Sequence, residues 1–199
     1  MTSGRMRIGA VILAAGASRR MGANTNKLLL PIDGVPMVRQ TVQRVRTAGI
    51  HDIVVVTGHE ADRVRAALEG LPCHFVESLD PTGPTSGSLH AGLRAFGPEI
   101  DATLVMLADM VRVTTAMIAT LIASARTGDA PLEVSRYGDV LAPPLLFRRA
   151  LWPELLAWQG EGCGKAVVRA HLAEASLHDW RPDALADIDT PEDYAALTR

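Results

Sequence analysis

Apolar and polar positions follow two rhythms along this chain, and the rhythms alternate. "IGAVILA" (8–14) is a continuous apolar run, "DIVVVTG" (52–58) and "ATLVMLAD" (102–109) carry apolar cores, and "CHFVES" (73–78) predicts a further strand. Such runs suit parallel strands covered on both faces. Between them the apolar residues recur at helical spacing. In "PMVRQTVQRVRTAG", Val38, Val42 and Val45 form one stripe, with Arg39, Arg44 and Arg46 between them and Gly49 as a stop. "EADRVRAALEG", "LHAGLRAF" and "TTAMIATLIASAR" predict further helices, the last with Thr114 as its N-cap. The alternation predicts right-handed crossovers onto a mostly parallel sheet with helices on both faces, a three-layer Rossmann-like α/β fold.

From about residue 130 the rhythm weakens. Pro131, Pro143, Pro144 and Pro153 fall in "APLEVSRYGDVLAPPLLFRRALWPELLAW" and are poor candidates for a central strand or a helix interior. A short strand or hairpin beside the main sheet is expected there. "GKAVVRAHLAEA" then predicts a helix, "LHDW" a strand and "PEDYAALTR" a terminal helix with Pro191 in its first turn. The 199 residues fit a single domain, 1–199, with a first part over about 1–128 and a closing part over about 129–199.

Composition narrows the classes. A hydrophobic fraction of 48% with 21% charged residues predicts a compact globule. A formal net charge of −2 gives no broad basic field for nucleic acid, so any anion site must be local. Cys73 and Cys163 lack metal or redox spacing and read as free thiols of a cytoplasmic protein. No apolar run approaches the roughly 20 residues that span a bilayer, so no membrane association is expected.

In open α/β sheets ligands bind beyond the carboxyl ends of the strands. After the first strand comes "LAAGASRRMG": small residues there let a ligand approach the backbone, and Arg19 and Lys27 can neutralise phosphates. The stretch matches neither the dinucleotide fingerprint nor the Walker pattern, and a solvated loop is the plain alternative. Asp109 ends the most apolar strand of the middle region. It suits a magnesium ion, which takes one or two carboxylates and completes its shell with phosphate and water; it equally suits a turn before the next helix. In "LADIDTPEDY", Asp187 and Asp189 share one side of an extended segment, and one of them could join Asp109, while Asp189 or Thr190 could instead cap the terminal helix. Ser88 in "GPTSGSLHAGL" is a ribose or anion candidate, or simply a cap. The six histidines show no metal-ligand spacing, and Cys163 in "GEGCGK" has no matched base.

The ordered set "LAAGASRRMG", "KLLLP", "GVPMV", "VVVTGH", "SLHAGL", "LADM" and "DIDTPEDY" resembles the molybdenum cofactor nucleotidyltransferases across essentially the whole chain. The resemblance implies a magnesium-dependent transfer of a nucleoside monophosphate from a triphosphate to an acceptor phosphate, with release of pyrophosphate. Carried over, Ala14, Ala15 and Gly16 line base and ribose, Leu13, Ser18 and Ser88 also bind the nucleotide, Arg19 and Lys27 hold the triphosphate, and Asp109 and Asp189 hold Mg2+. "LAAG" looks like the cytidylyl-type members, which implies CTP, a molybdopterin-type phosphate acceptor, and a molybdenum hydroxylase or its maturation factor as recipient. The sequence departs from the family pattern in the longer loop "ANTN" before Lys27, in Val111, in "DPTGPTSGS", in "APP" (142–144) and in "GEGCGK". GTP or another triphosphate with a sugar phosphate, and a nucleotide-binding chaperone without turnover, are the competing expectations. An NAD-dependent oxidoreductase is disfavoured by the first turn.

Overall fold

The computed structural model describes residues 6–21, 25–78, 80, 83–162, 164–185, 188 and 190–197. Its framework is one mostly parallel sheet of seven strands. In chain order these are β1 (Ile8–Ala14), β4 (Asp52–Thr57), β5 (His74–Glu77), β6 (Ala102–Leu107), β7 (Leu132–Tyr137), β8 (Val140–Arg148) and β9 (Ser176–Trp180). A separate small hairpin pairs β2 (Pro31–Ile32) with β3 (Val35–Pro36). The sheet order is β5-β4-β1-β6-β8-β7-β9, with β8 antiparallel to both of its neighbours.

Every residue of β1 is buried, as expected of a strand with parallel partners on both sides and helices above and below. On one face Val38, Val42 and Val45 of α1 (Met37–Thr47), Val64 of α2 (Ala61–Ala67) and Leu121 of α4 (Thr115–Thr127) pack against Ile12, Val55 and Met106. On the other, Leu89 and Leu93 of α3 (Thr85–Arg94), Leu155 of α5 (Trp152–Ala157) and Val168 of α6 (Lys165–Ala170) cover Val11, Val54 and Val105. The valine stripe read from sequence is the buried face of α1, and Thr114 caps α4 by accepting from Met117 N at 3.2 Å. No helix among the described residues is long and apolar enough to cross a membrane.

Three local expectations change. The proline-rich hairpin does not stand beside the sheet: β8 lies inside it, between β6 and β7. Pro143 and Pro144 are accommodated because the register jumps from Val134↔Leu145 to Ser135↔Ala142, leaving both prolines in a bulge where the ladder asks no N–H of them. Their carbonyls are used instead, accepting from Tyr137 Oη at 3.0 Å and Ser135 Oγ at 2.8 Å. Helix α3 starts at Thr85, earlier than its apolar stripe shows. Finally, the apolar run after Lys27, which by itself suggests a direct lead into the first helix, instead enters the β2–β3 hairpin, turned at Asp33 (φ 52°) and Gly34 (φ 78°).

The last helix, α7 (Pro191–Leu197), opens with a reciprocal cap: Thr190 Oγ1 accepts from Asp193 N at 3.2 Å, and Asp193 Oδ2 accepts from Thr190 N at 2.9 Å. Tyr194 Oη donates to Pro31 O at 2.6 Å, and Ile188 packs with Met21, Ile32, Met37 and Val111. The chain's end is thereby tied to the loops at the carboxyl ends of β1 and β6.

Candidate active site

At the carboxyl end of β1 the chain continues through Ala15 and turns at Ser18, whose φ of 49° places it in the left-handed region. A non-glycine residue there is strained, and such strain persists where surrounding bonds hold it. Ser18 Oγ accepts from Lys27 N at 3.1 Å, closing the loop at its base. Asn26, 3% exposed, caps the following short turn (Lys27–Leu29) by accepting from Leu28 N at 3.1 Å. Ser18 and Asn26 thus hold Lys27 at the end of β1, while Ala23 and Asn24 of the longer loop lie outside the described residues. Ser18→Ala removes the closing bond, and we expect turnover to fall about tenfold, the kinetic equivalent of one lost hydrogen bond of about 1.4 kcal/mol, with little change in melting temperature. Steady-state pyrophosphate release beside a thermal melt checks this.

Asp109 comes from the neighbouring strand end, just past β6. Its position is set by bonds on both sides. Ala108 N donates to Leu13 O at 3.1 Å, Thr41 Oγ1 of α1 donates to Ala108 O at 3.0 Å, and Arg44 Nη1 donates to Val111 O at 2.7 Å. Burial lowers the Arg44 pKa from its usual value, and Gln40 Oε1 accepts from its other nitrogen at 2.8 Å. Thr41 and Arg44 thus brace the turn that carries the carboxylate. The sequence shows them only as polar positions between helix valines, although Thr41, three residues after Val38 and four before Val45, falls on the buried face. Thr41→Val keeps the volume but orphans the Ala108 carbonyl, so a loss of about 1–3 kcal/mol of stability is expected, readable by urea unfolding.

Lys27 Nζ and Asp109 Oδ2 meet at 2.6 Å, with side-chain exposures of 14% and 16%. The other carboxylate oxygen, Asp109 Oδ1, is shielded from solvent and has no hydrogen-bond partner among the described residues. An anionic oxygen so placed fits a hard cation such as Mg2+, whose remaining ligands come from water and phosphate oxygens.

These groups share one open cleft of about 380 Å³, within the range of small-molecule sites. Leu13, Ala14, Ala15, Gly16, Ser18, Lys27, Ser88 and Asp109 all line it. Ser88 Oγ donates to Ser78 Oγ at 3.0 Å, which fixes its hydroxyl on α3. A Cβ built on Gly16 meets no atom of the described residues within 4 Å, and its φ is not left-handed, so neither asks for glycine there. Its smallness matters only to what enters the cleft. Arg19 starts a short turn (Arg19–Met21), and its side chain lies outside the described residues; Arg20 lines the cleft beside it. Asp187, Asp189 and Cys163 also lie outside the described residues. Ala17, Leu28, Gly83, Thr85 and Leu107 complete the lining; Gly83 and Thr85 belong to the "GPTSGSLHAGL" stretch, but the sequence singles out none of the five as site residues.

A mostly parallel α/β sheet with a small-residue turn, a lysine and a strand-end carboxylate around one cleft defines the nucleotidyltransferase class of fold. The chain belongs to the MobA-like NTP transferase domain family, whose pattern matches residues 10–175. Among curated proteins it is similar to the bifunctional protein GlmU of Coxiella burnetii (strain CbuG_Q212), 36% identical over 107 residues, 53% of this chain and 23% of that protein. The chain spans about a quarter of the length of the curated relatives it matches. Among solved structures it is similar to Rv0371c of Mycobacterium tuberculosis H37Rv, with a TM-score of 0.85 and 27% identity over 98% of this chain and 99% of that one. A complex of Rv0371c with manganese has also been solved, with a TM-score of 0.76 and 26% identity over 97% of this chain and 98% of that one. A nucleotidyl transferase from Methanothermobacter, Mth528, is similar with a TM-score of 0.82 and 27% identity, covering 98% of this chain and 97% of that one.

Proposed function

We propose that this protein is an enzyme that transfers CMP from CTP to the phosphate of a molybdopterin-type acceptor and releases pyrophosphate. The observation that carries the reading is the meeting of Lys27 and Asp109 over the small-residue turn of β1, in one cleft. Family membership supports the reaction class, and the Ala14-Ala15-Gly16 turn, which resembles that of cytidylyl-type members, supports CTP.

In the step itself, an acceptor phosphate oxygen forms a bond to the α-phosphorus while the bond from that phosphorus to the β-bridging oxygen breaks. The electron pair leaves with pyrophosphate. Ala14, Ala15 and Gly16 give base and ribose a flat backbone surface, and Ser88 offers a fixed hydroxyl in the same cleft. Lys27 and Arg20 place positive charge where the departing pyrophosphate gains negative charge, the term that positioned cations supply best. Asp109 would hold Mg2+, together with Asp189 of the terminal stretch. The ion, when bound, neutralises phosphate charge and aligns the reacting groups. A molybdenum hydroxylase or its maturation factor would receive the product.

The test is a matrix: each of the four ribonucleoside triphosphates against molybdopterin-type and sugar-phosphate acceptors, with pyrophosphate as the readout. CTP with the pterin acceptor should give the highest kcat/KM. Turnover confined to sugar phosphates would overturn the acceptor, and triphosphate binding without any turnover would favour a chaperone.

A further inference from the structure

Neither His59 nor Glu60, in the loop between β4 and α2, lines the cleft, yet that loop touches both the end of β1 and the turn that carries Lys27. We propose that Glu60 is a positioning residue for Lys27, acting through the side chain of Asn26; the proposal rests on the reading of Lys27 as a ligand of the triphosphate.

Three observations carry this. First, Glu60 stands at the N-cap position of α2, but its side chain makes no capping bond to that helix. Its φ of 52° is a left-handed conformation, strained for a residue with a side chain and kept where neighbours hold it. The preceding residue is one such tie, since His59 N donates to Ala15 O at 3.3 Å. Second, Asn26 Nδ2 is a donor shielded from solvent and Glu60 Oε2 an acceptor shielded from solvent, and neither has a hydrogen-bond partner elsewhere among the described residues. The bond from Arg63 Nη1 holds the Glu60 carboxyl below the usual carboxylate range, and the Asn26 amide adds to this in smaller measure. Third, the oxygen of the same Asn26 amide accepts from Leu28 N at 3.1 Å and so caps the Lys27–Leu29 turn.

The third observation explains the second. A side-chain amide has a donor end and an acceptor end, and only the acceptor end can cap an N–H. A carboxylate accepts and cannot donate, so Glu60 draws the NH2 end to itself and leaves the oxygen for Leu28 N. Glu60 thereby selects the amide orientation that closes the turn, and Lys27 enters the cleft from that turn with its own N–H on Ser18 Oγ. An aspartate at position 26 would cap equally well but would set two carboxylates against each other.

The experiment is equilibrium binding of a fluorescent CTP analogue to the full chain, with a thermal melt of each variant. Glu60→Ala should weaken binding about tenfold, the scale of one hydrogen bond, with a small shift in melting temperature. Glu60→Gln keeps an oxygen for the Asn26 amide and should recover most of that loss. Asn26→Asp should also weaken binding, and combining it with Glu60→Gln, whose amide can donate in the reverse sense, should restore it. Lys27→Met alone should weaken binding, and adding Glu60→Ala to it should cost nothing further, because the two act in one chain of contacts. If Glu60→Ala melts far lower, Asn26→Asp with and without Glu60→Gln decides the matter. Affinity unchanged by Glu60→Ala, an equal further loss in the Lys27→Met background, or no recovery in the combined variant would overturn the positioning role while leaving Lys27 as a phosphate ligand. Tighter binding by Glu60→Gln alone would make net charge the cause and overturn it too. Full affinity in Lys27→Met would instead overturn the reading of the lysine itself.

Discussion

Asp109→Asn is expected to lower turnover roughly a thousandfold, the scale seen when one preorganised electrostatic partner is taken from a developing charge. The substitution is nearly isosteric and leaves the bracing bonds untouched, because Thr41, Arg44 and Leu13 hold backbone atoms of Ala108 and Val111 and not the carboxylate. The amide oxygen can still accept from Lys27 Nζ. What disappears is the negative charge that pairs with the ammonium and that we propose holds a divalent ion. Circular dichroism should therefore be native-like, while single-turnover pyrophosphate release collapses. Losing one partner of a shielded ion pair is costly to stability when the other stays charged and unpaired, so asparagine, which still accepts a hydrogen bond, is the informative choice.

Gly16→Leu is expected to raise the dissociation constant for the triphosphate at least about a hundredfold, some 2.7 kcal/mol, with the melting temperature unchanged. The argument is geometric. A Cβ at Gly16 meets no heavy atom of the described residues within 4 Å, and the residue is exposed at the cleft, so the fold can carry a side chain there. That side chain must then fill the space proposed for base and ribose. Gly92 offers the contrast: a Cβ there would approach Val11 Cγ1 to 2.5 Å, so that glycine serves the packing of α3 on the sheet. Equilibrium binding of a fluorescent CTP analogue separates the two kinds of glycine, since only the Gly16 variant should lose binding while keeping its melting temperature.

β1, β4 and β6 were legible because they are buried along nearly their whole length and stand out as apolar runs. Val38, Val42 and Val45 gave α1 for the matching reason at helical period. Pro143 and Pro144 misled because a bulge frees its residues from the ladder, and a bulge depends on the partner strand, which sequence order does not show. The β2–β3 hairpin had a local signal, Asp33-Gly34, the dipeptide that favours positive φ at both turn positions. At the cleft, Leu13 to Gly16, Ser18, Lys27, Ser88 and Asp109 were readable, because ligands gather where parallel strands end. The bracing roles of Thr41 and Arg44 were not, since each contacts a backbone carbonyl 67 residues away.

The seat of the nucleotide is the most direct test. A crystal structure with CTP and Mg2+ should show base and ribose lying on Ala14, Ala15 and Gly16, the ion on Asp109, and Lys27 at the phosphates. A nucleotide seated away from the end of β1, or an ion held away from Asp109, would contradict the account.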